Sequence, residues 1–407
     1  MPSAFGWIDF AEQDRRRMSD VVRLFREQDT RDELGLGSVR DAFANLFFPG
    51  TNTIQTRAKY MLFVPWIYLR HEKRQTRSKD IVHKARRDEL KLIEALLNSD
   101  DTDGVIGKDA RSKLQRLPSN IYWSGLGRWG IRLFNGSQAQ YHRYLDAFYR
   151  RRKERSRQLR QEEEHTAIRT VENWDPGRPD PPNGFPEQVT LVLTQEESEY
   201  LHDRIMTNCG QSLLAFLIDQ TSPSEAARFV WMHPAIAQFP HRLRLQVEHA
   251  RNFSEVMHGA ALLYNLMLGE KSNREEDAAK HRDGLSRWNK AIQSRRAALG
   301  NWDLADFWEI VVSEGARIPW RTRHFIECWI DLVLKSGGDV TSLSTDKAAQ
   351  SLIRDRETAL KRDRARLQNQ RALDLWSGDA GTGQLDYRWR VVSTIVNDIL
   401  IGMDNNA

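Results

Sequence analysis

Cysteine is almost missing from this chain of 407 residues, with Cys209 and Cys328 its only thiols. Far apart and without paired spacing, they argue against a disulfide framework or a structural zinc knot, and fit a reducing cytoplasm. Long apolar runs are missing too. The longest, Tyr60 to Leu69, has about half of the roughly twenty residues a bilayer requires and contains Pro65, so it reads as a core helix. The amino terminus, MPSAFGWIDFAEQDRRR, lacks the basic-then-apolar layout of a secretory signal, and export is not expected. Nor is charge of one sign in large excess. Against 56 acidic side chains stand 61 basic ones, a net charge of +5 that by itself says little about nucleic acid.

Tryptophan, by contrast, is plentiful. Thirteen indoles need somewhere to be buried, which argues against disorder despite the high charged fraction. The size allows two domains, or one large domain with an appendage. Helical periodicity dominates the chain and predicts a mainly α fold with few short strands, in which multi-helix amino- and carboxy-terminal halves are joined by a proline-rich linker. Residues 1–165 form the first half, 166–188 the linker and 189–407 the second half. No fixed-period repeat is strong enough for a solenoid.

In the first half, apolar positions recur on one face from Phe10 to Gln28. Ser38 caps a short helix ending at Phe48, a helix from Thr56 to Arg74 should be kinked or ended by Pro65, and Ser78 to Leu97 is amphipathic. Ser137 with Gln140 resembles a capping box opening a long helix through YRRRKERSRQLRQEEE, expected to protrude. Pro176, Pro179, Pro181, Pro182 and Pro186 mark the linker. Val189 to Leu193 has strand composition, and Thr194 with Glu197 opens the second helical half. There, Ser222-Pro223-Ser224-Glu225 suits a helix start. His241 to Leu268, Trp302 to Val312, Trp320 to Leu334, Ala348 to Leu367 and Arg390 to Ile401 read as further helices.

Two adjoining stretches are candidates for a working surface. Arg111 to Phe134, RSKLQRLPSNIYWSGLGRWGIRLF, reads as neither clean helix nor clean strand and mixes cations, rings and glycines. These are groups that grip phosphates, stack on bases and let a backbone come close. Its ordinary explanation is a stacked arginine-tryptophan core loop. Arg143 to Arg160 concentrates eight cations against Asp146 and Glu154, a local excess larger than the whole chain's. Its ordinary explanation is a solvated helix face. Arg116, Arg128, Arg132, Arg150, Arg151, Arg152 and Lys153 of these stretches, with Arg57 and Lys59 from earlier in the chain, are expected as phosphate contacts, and Tyr122, Trp123 and Trp129 as bracing or stacking against the ligand.

Signatures of chemistry are weaker. Glu248, Asn252, Glu255 and His258 have spacings that let several share a helix face. Yet His249 and His258 lie nine residues apart, unlike the His-Glu-x-x-His of zinc proteases, and interhelical hydrogen bonding is the ordinary explanation. His71-Glu-Lys73 resembles the opening of the phospholipase D nuclease motif, but Ser78 stands where the aspartate belongs. Gly378 to Gly383 has the glycines of a phosphate loop without its lysine. Asp100, Asp101 and Asp103 lack the regular ligand spacing of a calcium loop. No catalytic residue, metal or cofactor is therefore assigned.

Three long strings carry a family resemblance: the opening GWIDFAEQDRRRMSDVVRLFREQDTRDELGLGSVRDAFANLFFPGTNTIQTRAKYMLFVPWIYL, RLPSNIYWSGLGRWGIR in the middle, and RALDLWSGDAGTGQLDYRW near the end. The whole chain resembles an uncharacterised bacterial domain-of-unknown-function family associated with anti-phage defence gene clusters. The resemblance implies a prokaryotic cytoplasmic protein encoded beside helicases and phospholipase D-like nucleases as partners. It brings no catalytic residues with it. The expected function is a non-enzymatic component that binds nucleic acid, DNA before RNA, together with such a partner. Two alternatives stay open: an adaptor binding only protein through the proline-rich strap, and an enzyme centred on the Glu248 to His258 helix.

Overall fold

A computed structural model of the chain describes residues 32–159, 172–223, 227–335 and 343–404. The helix read at Phe10 to Gln28 lies outside these residues, as do Ser224 and Glu225. Among the described residues the protein is mainly α. Its helices are α1 (Gly37–Phe47), α2 (Tyr60–Lys73), α3 (Ile81–Leu97), α4 (Pro118–Arg128), α5 (Gln138–Leu159), α6 (Gln195–Cys209), α7 (Leu213–Gln220) and α8 (His241–Lys271). They continue with α9 (Glu275–Ser294), α10 (Arg296–Gly300), α11 (Leu304–Ser313), α12 (Trp320–Lys335), α13 (Lys347–Lys361), α14 (Gln370–Asp374) and α15 (Trp389–Asp404). Apart from one isolated antiparallel bridge, Arg132 to Trp174, no strand pairing occurs among the described residues. Val189 to Leu193, expected as a strand, is irregular. Leu191 and Leu193 turn inward and Val192 outward, but no neighbouring strand takes up its backbone groups.

The chain divides into two compact units: Met1–Phe43 with Leu245–Leu385, and Ala44–Arg244 with Asp386–Ala407. The segment expected to join two halves, residues 166–188, lies within the span of the second and larger unit. Its described part is a strap laid on apolar surface. Trp174 is buried, Trp66 donates Nε1–H to the Pro179 carbonyl at 2.8 Å, and the Phe185 ring lies 6.2 Å from Phe63 and 5.4 Å from Trp66.

In the larger unit α2 is buried without interruption from Tyr60 to Tyr68 and packs on α3 and α4, while α15 packs on α6 and α7. Pro65 neither ends α2 nor splits it. A proline inside a helix costs about 3 kcal/mol, and complete burial of the flanking rings and aliphatics outweighs that. Both capping boxes form. The Ser137 N–H donates to Gln140 Oε1 and the Gln140 N–H to Ser137 Oγ. Thr194 exchanges the same pair of bonds with Glu197. Thr194→Ala is expected to destabilise the larger unit by about 1 kcal/mol, measurable as a lower denaturant midpoint, with Thr194→Ser restoring most of the loss.

In the smaller unit α8 is the central element, its Phe253, Val256, Met257, Ala260, Leu263 and Tyr264 buried. Gly259 permits a close crossing, since a Cβ there would meet the Trp288 ring of α9 at 2.3 Å. Trp288 and Trp329 donate their indole N–H groups to the carbonyls of Glu255 and Val256. The helix expected to run from Ala348 to Leu367 stops at Lys361. There Arg362 takes a positive φ of 51°, and the Arg366 and Leu367 N–H groups turn back to the Glu357 carboxylate.

Candidate nucleic-acid interface

The aromatic-basic segment is a helix over much of its length. Pro118 opens α4 at a position that needs no backbone donor, and buried Glu89 on α3 accepts the Ser119 N–H and hydroxyl at 2.8 Å each. The helix seats closely against the Pro49-Gly50 turn. A Cβ on Gly125 would stand 2.3 Å from the Gly50 carbonyl, Gly50 has a φ of 84°, and Trp129 donates to the Pro49 carbonyl at 2.8 Å. The rings expected to brace or stack against a ligand take part in this packing. Tyr122, Trp123 and Trp129 are all buried. The Tyr122 hydroxyl accepts the N–H groups of Thr56 and Arg57 and donates to the Arg57 carbonyl. Trp123 donates to Gly136 and takes the Arg132 guanidinium over its face, 4.8 Å from the ring centroid. Arg132 also donates to the carbonyls of Trp123, Phe134 and Gly136, and burial lowers its pKa. A fixed, half-buried cation already bonded to carbonyls suits a core loop better than a phosphate clamp.

Arg57 and Lys59 also face inward. Arg57 Nε lies 2.9 Å from Asp398 on α15 and its Nη1 lies 2.7 Å from Asp101. Burial opposes this charge, and the two carboxylates outweigh burial, so the guanidinium is held above its ordinary pKa. The pair with Asp101 is where the acidic loop spends its charge. Lys59 is 4% exposed and donates to the Glu197 carboxylate and the Val192 carbonyl. Its pKa is lowered by burial, with Glu197 opposing. These five side chains, Arg57, Lys59, Tyr122, Trp123 and Trp129, stand in the interior because cations and rings bury well once paired or bonded. Composition and spacing along the chain do not distinguish them from surface groups.

The other nominated residues are exposed: Arg116, Arg128, Arg150, Arg151, Arg152 and Lys153. The last four lie on α5, whose first turns bury Tyr141, Leu145 and Phe148 and whose residues 150–157 are exposed without exception. Beside α5 sits a turn that spacing along the chain does not reveal. The Ser78 N–H donates to Asp146, the Ser78 hydroxyl to the Arg143 carbonyl, and the Asp146 N–H to Ser78 Oγ. This brings exposed Arg77 and Lys79 next to Arg143. Asp146 and Ser78, a carboxylate and a hydroxyl suited to capping backbone N–H groups, were the only clue. The result is a cationic surface running from the turn along α5.

The enzyme-like groups of the smaller unit are tied into its packing. Arg295 donates to Glu248, Asn252 and Glu255 together. His249 turns the other way, 2.9 Å from Asp306, and accepts the Trp302 indole N–H. His258 Nε2 lies 3.0 Å from the Thr382 carbonyl. In the larger unit His71 is buried beside Thr76 and Asp88, and Lys73 is exposed. The glycine-rich turn is held from below, Asn265 bonding Ala380 at both its N–H and its carbonyl. Among the described residues, no group of three or more acidic, histidine or cysteine side chains could hold a metal ion, and no helix is long and apolar enough to cross a membrane.

No curated protein and no solved structure matches the chain. One sequence family does, over residues 2–401, and the protein with this basic helix belongs to it: a family of unknown function, DUF6361.

Proposed function

We propose that the protein is a non-enzymatic, nucleic-acid-binding component of a prokaryotic anti-phage defence system, working with a helicase or nuclease partner. One observation carries the binding part: the exposed cations of α5 and of the neighbouring Ser78 turn, Arg77 and Lys79, form a single surface on the larger unit. Within Arg143 to Arg157 the sequence places seven cations against two acids, Asp146 and Glu154. Such a surface binds phosphates by releasing counterions, so its affinity falls with salt by about 0.9 log units per log unit of salt for each phosphate neutralised. The defence setting and the partner rest on the family resemblance of the long sequence strings.

The protein-only adaptor draws less support, since the strap turns Trp174, Phe185 and Pro186 toward the larger unit and leaves few of its large apolar groups for a partner. The enzyme reading also draws less, because Arg295 occupies the shared face of Glu248, Asn252 and Glu255.

Arg150→Gln, Arg151→Gln and Lys153→Gln combined are expected to reduce the slope of log affinity against log salt by about 2 to 3, with an unchanged helical circular-dichroism spectrum. An unaltered slope would sink the assignment of this surface. Copurification at native expression, with protein and nucleic acid both identified, tests the rest. Recovery of a partner protein without nucleic acid would favour the adaptor.

A further inference from the structure

We propose that the exposed stretch of α5 from Arg150 to Arg157 enters the major groove of duplex DNA and contacts the phosphates of both groove walls. This rests on the nucleic-acid reading above and names the form of nucleic acid bound. From Arg150 to Arg157 every residue is exposed. With roughly 100° of rotation per residue, Arg150, Lys153 and Arg157 lie along one side of the helix. Arg151, Arg152 and Arg155 lie along the opposite side. A helix resting on one strand of phosphates needs a single basic stripe, with another face free to pack on its own protein. Here two basic stripes face opposite ways and no apolar residue from 150 to 157 separates them.

The dimensions agree. An α-helix with its side chains is about 10–12 Å wide, and the B-form major groove is about 12 Å wide and admits one. The major groove of an A-form RNA duplex is too narrow and deep for side chains to read. Single strands call for exposed rings on which bases stack, and this surface offers few. Tyr141 and Phe148 are buried, and half-buried Tyr144 is covered by the Arg151 guanidinium, 5.6 Å from its ring centroid. Exposed Arg152 lies 4.0 Å from half-buried Glu172, a long pair weak enough to be exchanged for a phosphate.

The experiment is an anisotropy titration of the full-length protein with 20-base-pair DNA, RNA duplex of the same sequence and single-stranded DNA, each over a salt series. Two variants accompany it: R150Q/K153Q/R157Q and R151Q/R152Q/R155Q, all at exposed positions. Duplex DNA is expected to bind about tenfold or more tighter than either competitor. Each triple variant should reduce its salt slope by about 2 to 3. If single-stranded DNA or RNA duplex binds as well as duplex DNA, or if only one triple variant weakens binding, the groove inference fails while nucleic-acid binding stands. If nothing binds even at low salt, both fail.

Discussion

Arg57→Ala is expected to lower the free energy of unfolding by about 3 kcal/mol, the cost of stranding a buried carboxylate. Asp398 is 9% exposed in its side chain and faces Arg57 Nε at 2.9 Å, and it also accepts the Ala58 N–H. Burial already pushes its pKa up, with the guanidinium opposing. Without Arg57, the charged form keeps one backbone donor and loses its counterion. The variant should therefore lose most stability at neutral pH and least in acid, where Asp398 takes up a proton. Denaturant midpoints at pH 5 and pH 8 measure the difference. Restoring stability with a second change, Asp398→Leu, would show that the loss belongs to the unpaired charge. A loss below about 1 kcal/mol accompanied by weaker DNA binding would return Arg57 to the surface role that its sequence setting suggests.

The second large effect is on pH dependence. Glu89 is fully buried between α3 and α4, and burial pushes its pKa up to about 7, opposed by the two bonds from Ser119 and by Arg86. A carboxyl whose folded pKa exceeds its unfolded value favours folding fully below the unfolded pKa, near 4.5. That contribution is lost as pH rises toward 7. Glu89→Gln removes the titration. It should match the native protein near pH 4 and gain stability on it progressively up to about pH 7, then hold a constant advantage. The ceiling is about 3 kcal/mol from the pKa displacement, reduced because glutamine offers one acceptor oxygen where the carboxylate offers two to Ser119. Urea unfolding between pH 4 and pH 8 reads it directly. A constant difference at every pH would show that Glu89 does not titrate in this range.

Glu89 also shows why half of the site was illegible along the chain. Its place in the amphipathic pattern of α3 marks it as a charged residue like its neighbours. Only α4, arriving through Pro118 with an unsatisfied N–H at Ser119, gives it a reason to be inside. The same holds for Lys59 with Glu197 and for Arg57 with Asp398, partners separated by 138 and 341 residues. An ion pair over that range leaves no periodic trace. By contrast, the capping boxes at Ser137 and Thr194 involve donors and acceptors three residues apart. Both helix starts could be read from the sequence for that reason.

The sequence by itself determined the mainly α class, most helix positions and the concentration of charge on α5, because apolar periodicity, capping and charge runs act over one or two turns. Tertiary structure alone decided that the tryptophans of the aromatic-basic segment are core, that the proline-rich strap lies on the larger unit, and that the Ser78 turn adjoins α5. Each of these depends on what a side chain meets from a distant part of the chain. A ring or a cation is equally at home on a surface or in an interior that supplies its hydrogen bonds and counter-charge.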